Sequence, residues 1–143
     1  MTFHGIAPVN VGMTPPEAEA AIRDTLVRYE RTPATESCYL VHPESTPTLL
    51  FMIEDGRVVR VETESSDFST LSGVRVGDTE EQARNVYRNR VKAEVHPYDP
   101  EGHYLVIDSP DQRFAMILET DGKIVTQIRA GLLPAVRYIE HCL

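Results

Sequence analysis

The stretch Gly73-Val-Arg-Val-Gly-Asp-Thr-Glu-Glu-Gln82 decides the fold, because the chain contains a related stretch, Val9-Asn-Val-Gly-Met-Thr-Pro-Pro-Glu17. An offset of 65 positions superposes the two stretches and also brings a later Tyr-Leu-Val tripeptide onto its copy. The identical pairs are Val9 and Val74, Val11 and Val76, Gly12 and Gly77, Thr14 and Thr79, Ala18 and Ala83, Arg23 and Arg88, Tyr39 and Tyr104, Leu40 and Leu105, and Val41 and Val106. Identities spread over a helix start and a strand predict a tandem duplication.

Each copy predicts the start of a helix. Thr14 and Glu17 have the spacing of a capping box, with proline at the first helical position, and Thr79 and Gln82 repeat the spacing. Apolar residues then recur at steps of three and four, which predicts a first helix to about residue 29 and a second to about residue 90.

Strand patterns follow each helix. Residues 37–42, 48–54 and 57–64 are rich in β-branched, aromatic and apolar side chains, as are residues 103–108, 113–119 and 123–129. The dipeptides Asp55-Gly56 and Asp121-Gly122 predict tight turns that make the flanking strands antiparallel. Residues 91–98 are compatible with an additional strand.

The fold class that follows is α+β, with two tandem α-β-β-β units forming one antiparallel sheet and the helices on one face. The predicted units are residues 5–66 and 70–131, and residues 132–143 form a C-terminal tail that docks on the body. The other face of the sheet is expected to be open, slightly concave and suited to binding a protein.

Composition narrows the classes of partner. The formal net charge of −8, with scattered Lys and Arg, argues against nucleic acid and anionic membranes. No apolar run approaches the length of a transmembrane helix, and no export signal is recognisable at the start. The oligomeric state is left open.

The two cysteines have two interpretations. Cys38 and Cys142 are either unrelated buried thiols or a disulfide that joins the first unit to the end of the chain. We favour the disulfide, because a free cysteine near the terminus would be exposed and reactive, and a disulfide indicates an oxidising compartment.

Catalytic motifs are not evident in the sequence. It contains no nucleophile elbow, P-loop, zinc-protease helix or dinucleotide fingerprint, so we predict that the protein is not an enzyme and uses no cofactor. His96, Asp99 and His103 are chemically able to bind zinc, but their spacing matches no established site, so no metal site is predicted.

Candidate partner-binding residues come from the repeat and from the loop that only the second unit has. Tyr39 and Tyr104 occupy equivalent strand positions and are predicted to point the same way, either as core residues or as anchors on the open face. His96, Tyr98 and His103 belong to the loop region and complete the predicted partner-binding set. His103 occupies the position that Cys38 has in the first unit, which favours an ordinary strand residue.

The duplicated Val-x-Val-Gly-x-Thr segment, the helix and the hairpin closed by Asp-Gly resemble a known superfamily. The chain is similar to the tandem-repeat proteins related to β-lactamase inhibitory protein and, unit by unit, to the outer-membrane assembly lipoprotein BamE. Gly12-Met-Thr14 and Gly77-Asp-Thr79 match the Gly-x-Ser/Thr segment that opens each unit. The resemblance covers about residues 6–131 and implies an exported bacterial protein that binds another protein.

The function predicted from these observations is an exported protein-binding module, in the periplasm or secreted, with enzyme inhibition as one form of it. This location assumes that an export signal has been removed. A role in outer-membrane assembly or envelope structure is the alternative, and a small-molecule or metal-binding domain is the second alternative.

Overall fold

The protein is an α+β fold built on a large antiparallel sheet. The computed structural model describes residues 1–142. Its elements in chain order are β1 (Gly5–Ile6), β2 (Val9–Asn10), α1 (Pro15–Ile22), β3 (Leu26–Arg28), β4 (Cys38–Pro43), β5 (Leu49–Glu54), β6 (Arg57–Thr63), α2 (Glu80–Tyr87), β7 (Val91–Val95), β8 (His103–Asp108), β9 (Phe114–Thr120) and β10 (Val125–Leu132). Single 3₁₀ turns lie at Arg88–Arg90 and Ala135–Arg137.

The eight-stranded sheet has the order β3-β4-β5-β6-β10-β9-β8-β7, and every neighbouring pair is antiparallel. The predicted α+β class and antiparallel sheet are therefore confirmed. Strands β6 and β10 meet at the centre, with Val61 opposite Ala130. A separate two-stranded sheet joins β1 to β2.

The two helices begin in the same way. The hydroxyl of Thr14 accepts from the Glu17 N–H and that of Thr79 accepts from the Gln82 N–H, while the Glu17 and Gln82 side chains accept from the cap N–H groups. Both predicted capping boxes are present.

The segments that lead into the two helices are hydrogen-bonded to the sheet in the same way. Gly12, with φ of 95°, donates to the Val58 carbonyl, and Gly77, with φ of 94°, donates to the Val125 carbonyl, each at 2.8 Å. Positive φ at these turns favours glycine, which explains why both stretches contain it.

The first helix is shorter than its periodicity predicts. Arg23 adopts a left-handed conformation (φ 55°) and donates its backbone N–H to Glu19, which ends α1 at Ile22. Leu26–Arg28 then pairs with β4 as an edge strand. The predicted helix to residue 29 was wrong because pairing with β4 wins over a helical spacing that Leu26 only continues by chance. Each half therefore contributes four strands to the sheet, not three.

The main core lies on the face covered by both helices, which we call the helix-side face. Ala18 and Ala83 from the helices pack there with strand residues that include Phe51, Leu105 and Leu118. Placement of both helices against one cluster agrees with the predicted single helical layer.

The opposite face, which we call the tail-side face, carries two smaller apolar clusters. One contains Leu40 and Met52, and the other contains Val106 and Ile117. Ala135 packs on the first cluster and Val136 on the second. This face was predicted to be open, and the prediction was wrong for its middle, because the tail bridges both clusters.

Candidate binding surface on the tail-side face

The C-terminal tail, residues 133–142, is covalently fixed across the sheet. Cys142 forms a disulfide with Cys38 of β4, with the Cα atoms 5.6 Å apart. The predicted disulfide and the predicted docking of the tail are both present. Residue 143, the last of the predicted tail, lies outside the described residues.

A buried group of charges lies between the two apolar clusters, under the tail. Arg60 forms an ion pair with Glu62, and both side chains are 1% exposed. The Arg60 guanidinium also donates to the Tyr138 carbonyl at 2.7 Å, and Arg129 donates to the Val136 carbonyl at 3.0 Å. Two strand arginines, one from each half of the sheet, thus hydrogen-bond the main chain of the tail.

Glu62 holds this group together electrostatically. Burial raises the pKa of its carboxyl, but Arg60, His141 and Arg129 outweigh burial and bring the pKa to about 2. Burial lowers the pKa of Arg60, and Glu62 opposes that effect. His141 Nε2 lies 2.7 Å from Glu62 Oε1, so the tail contributes to the charge balance as well as to the covering.

A groove of about 840 Å³ opens beside the tail, over the first half of the sheet. Tyr29 and His42 form one wall, with ring centroids 6.4 Å apart and planes close to perpendicular. Leu50 adds apolar surface, while Glu62 and His141 lie at the end nearest the tail. His141 directly precedes the disulfide-bonded Cys142, so this end of the groove is fixed. The groove is a preformed concave surface, the shape in which proteins bind ligands and partner side chains.

The five predicted partner-binding residues lie on two faces of the sheet. The tail-side face has Tyr104, His96 and Tyr98, and the helix-side face has Tyr39 and His103. Tyr104 is buried on the tail-side face beneath Arg129, whose guanidinium carbon lies 4.6 Å from the ring centroid. Tyr39 packs on the helix-side core, with Arg28 at 4.2 Å over its ring. The prediction that the two tyrosines point the same way was wrong, because a shift of one residue in strand register reverses the face of a side chain.

His96 connects its loop to β9 by hydrogen bonds. Its Nδ1 accepts from the N–H groups of Tyr98 and Asp99, each at 3.1 Å, so its proton lies on Nε2 and is directed at Glu119, 2.7 Å away. The ring also packs edge-on against Tyr104 at 4.9 Å.

Tyr98 is the exposed member of the predicted set, at 67%. Its hydroxyl donates to Glu140 of the tail at 2.5 Å, and that hydrogen bond is the main reason why the pKa of Tyr98 is raised. Tyr98 is thus available to a partner and tied to the tail at the same time.

His103 belongs to a different polar cluster, on the helix side. Its Nδ1 lies 3.0 Å from Glu80 Oε2, and Glu80 also receives hydrogen bonds from Thr120 and Arg84. Burial raises the pKa of Glu80, but these partners outweigh it and leave the pKa lowered. The expectation that His103 matches Cys38 was wrong, since Cys38 lies on the tail-side face.

The Glu80 cluster is not arranged for nucleophilic catalysis. A serine- or threonine-type relay places the imidazole between hydroxyl and carboxylate, so that the base can take the hydroxyl proton. In this protein the carboxylate of Glu80 takes the central position and Thr120 donates to it directly. The cluster therefore fixes α2 to the sheet.

His96, Asp99 and His103 are the residues of this region that are chemically able to bind zinc. His96 is directed at Glu119 and His103 at Glu80, so these imidazoles do not converge. Within residues 1–142, no group of three or more His, Cys, Asp or Glu side chains is placed to hold a metal ion. The same residues contain no helix long and apolar enough to cross a membrane.

Comparison with known proteins shows the fold alone. No family model matches the sequence, and no curated protein matches it. The crystal structure of the uncharacterized protein yfeY from Escherichia coli is similar, with a TM-score of 0.58 and 13% sequence identity. The alignment covers 92% of this chain and 98% of that chain.

The residues that the sequence did not reveal are Arg60, Glu62 and Arg129. They alternate with apolar residues in β6 and β10, which is the pattern of a strand with one face in solvent. Their burial depends on the C-terminal tail, which covers them and lies far away in the sequence. The residues next to them in the strands do not indicate it.

Proposed function

We propose that the protein is an exported bacterial protein-binding module whose binding surface is the tail-side groove and the adjoining loop at Tyr98, with enzyme inhibition as one form of this role. The single observation that carries the proposal is the preformed groove of about 840 Å³ with an aromatic wall, fixed beside a disulfide-bonded tail. Aromatic side chains on rigid concave surfaces are favoured anchors of protein interfaces.

The disulfide supports an extracellular or periplasmic setting. Structural disulfides persist in oxidising compartments and are rare in reducing ones. The bond links residues 104 positions apart, and closing so long a loop stabilises the fold. A reducing compartment would remove that stabilisation.

We further propose that the chain arose by tandem duplication, in keeping with the resemblance to inhibitory and BamE-type repeats. The strand order supports this proposal, since β3 to β6 and β7 to β10 run inward from opposite edges of the sheet. The matching hydrogen bonds of Gly12 and Gly77 support it as well. Kinship with those families stays a prediction.

The proposal is tested by affinity capture from a bacterial envelope extract, using the tagged full chain with its disulfide intact. The groove variant carries Glu64→Lys and Ser66→Arg, two exposed positions at the rim. The control variant carries Glu81→Lys and Asn85→Arg, which make the same charge change on the exposed surface of α2.

We expect a protein that the wild type and the control retain and the groove variant loses. The captured protein is then purified and its binding measured by calorimetry. If it is a soluble hydrolase whose activity falls on binding, the inhibitory form is supported, whereas an outer-membrane assembly component supports the alternative role. Equal capture by all three chains overturns the groove as the binding surface.

A further inference from the structure

Strand β7, Val91–Val95, is an outer strand of the sheet and pairs on one side only, with β8. Its residues from Lys92 to Val95 are exposed, and Val95 is 69% exposed. An exposed edge strand offers unpaired main-chain groups to any strand that can lie beside it.

The hydrogen-bond pattern shows which groups point outward. The N–H of His96 donates to the Gly102 carbonyl at 3.0 Å, so by antiparallel alternation Glu94 and Lys92 also bond toward β8. The main-chain groups of Ala93 and Val95 therefore point away from the sheet. The N–H of Val91 is bonded to Arg88, which leaves its carbonyl at the free edge.

The sequence of this strand, Val-Lys-Ala-Glu-Val, is complementary to itself when reversed. We propose that β7 is a homodimer interface, at which a second copy of the chain pairs antiparallel to the first about a two-fold axis at Ala93. In this register Val91 faces Val95 of the other copy and Lys92 faces Glu94 of the other copy. Ala93 pairs with itself, and the interface gains about four main-chain hydrogen bonds.

Charge fixes the register. Lys92 and Glu94 occupy non-hydrogen-bonded positions across the new pair, where facing side chains are closest, with Cα atoms about 4.5 Å apart. A two-fold axis moved to Lys92 places lysine on lysine, and one moved to Glu94 places glutamate on glutamate. Facing opposite charges stabilise a strand pair and facing like charges destabilise it.

The surrounding charges extend the complementarity. Lys92 Nζ lies 2.7 Å from Asp108 Oδ2, and Arg137 Nη2 lies 2.6 Å from Glu94 Oε1. Across the dimer, Arg137, Glu94, Lys92 and Asp108 then form a row of alternating sign. Charged residues on an edge strand usually discourage pairing. In this strand they discourage every neighbouring two-fold register and favour one.

Apolar contact adds to the pairing on the other face. Val91 packs against the helix-side core, and Val95 lies on the same face with little cover of its own. In the dimer each Val95 is covered by the Val91 of the other copy. The isologous contact closes on itself, so it yields a dimer and not a filament.

The test is sedimentation velocity of the intact, oxidised chain at low salt over a wide range of concentrations. We expect the weight-average mass to rise from 16.1 kDa toward twice that value as concentration rises, and to fall when salt is added. Lys92→Glu and Glu94→Lys, each alone, should weaken association on the order of tenfold or more, because like charges then face each other.

An equimolar mixture of the two single variants distinguishes this interface from general effects on stability. One chain then presents two acidic groups and the other two basic groups at facing positions, so we expect a heterodimer in the mixture. The intramolecular pairs with Asp108 and Arg137 stay disrupted in the mixture, so recovery cannot come from them.

Ala93→Pro provides an independent probe of the main-chain bonds. Proline removes an N–H that points outward and leaves the bonds to β8 in place, so association should be lost while the thermal unfolding midpoint changes little. Ala93→Ser keeps the N–H and should still dimerise. A wild-type chain that stays monomeric up to about millimolar concentration, or a dimer unaffected by all of these variants, overturns the proposal.

Discussion

The two faces of the sheet are sealed by different means. On the helix-side face, two short helices with capped N-termini cover a cluster of apolar side chains. On the tail-side face, an irregular segment covers the sheet, and its carbonyl groups need donors once they leave water. Arg60 and Arg129 supply those donors to Tyr138 and Val136.

This difference explains why the buried strand arginines that donate to main-chain carbonyls lie on the tail-side face. Each eight-residue helix leaves only the carbonyls of its last turn without an intrahelical partner, and these lie at one end of the helix. An irregular segment brings unpaired carbonyls along its whole length. Each polar group that stays unpaired in an apolar setting costs about 1–3 kcal/mol in proteins. The buried charges are therefore part of how the tail is held.

The largest effect that separates the two faces is expected from removing the disulfide. Cys142→Ser should lower the free energy of unfolding by about 4–5 kcal/mol, because the bond closes a loop of 104 positions and anchors the tail. Denaturant unfolding measures the loss. Hydrogen exchange should show faster exchange in residues 133–142, with the strands under α1 and α2 still protected.

Cys38→Ser is the matched control, since it breaks the same bond from the other side and should have the same effect. A loss below about 1 kcal/mol, with unchanged protection of the tail, would show that the ionic and apolar contacts hold the tail without the bond.

Much of the helix-side architecture could be predicted from the sequence because its signals are local. The Thr14 and Thr79 caps are written in short spacings, and so is the turn at Asp55-Gly56, which joins Glu54 to Arg57. These devices depend on residues a few positions apart, and the structure contains each of them.

The tail-side face depended on information that no short stretch contains. The burial of Arg60 requires the tail, which lies 75 or more positions away in the chain. The faces of Tyr39 and Tyr104 depend on strand register, which one residue reverses. The disulfide was predictable only as one of two alternatives, because two cysteines give no geometry.

A smaller loss is expected when the buried ion pair on the tail-side face is broken. Glu62→Gln keeps the size of the side chain but leaves the Arg60 guanidinium buried without its counter-charge, which should cost about 3 kcal/mol. Glu64→Gln, two residues further along and exposed, should change the free energy of unfolding by less than about 0.5 kcal/mol.

The pH dependence of unfolding identifies the cause of that loss. The folded-state pKa of Glu62, about 2, is below its ordinary value of 4.5, so its ionised form stabilises the fold above pH 4.5. This contribution declines as pH falls from 4.5 toward 2. The stability gap between wild type and Glu62→Gln should narrow over that range, and parallel curves would show that packing, not charge, causes the loss.

The smallest effect should come from the helix caps, and it should leave the tail untouched. Thr14→Ala and Thr79→Ala each remove one acceptor for a helix N–H and should cost about 1 kcal/mol in denaturant unfolding. Thr79→Ala should cost more, because its hydroxyl lies 3.0 Å from the Gln82 nitrogen, against 3.4 Å between Thr14 and Glu17. Serine at either position keeps the acceptor and should restore most of the loss.

Hydrogen exchange in residues 133–142 should not change in any of these variants, because the tail is held by strand arginines and a disulfide on the other face. Faster exchange of the tail in a cap variant would mean that the two faces are coupled through the sheet and are not sealed independently.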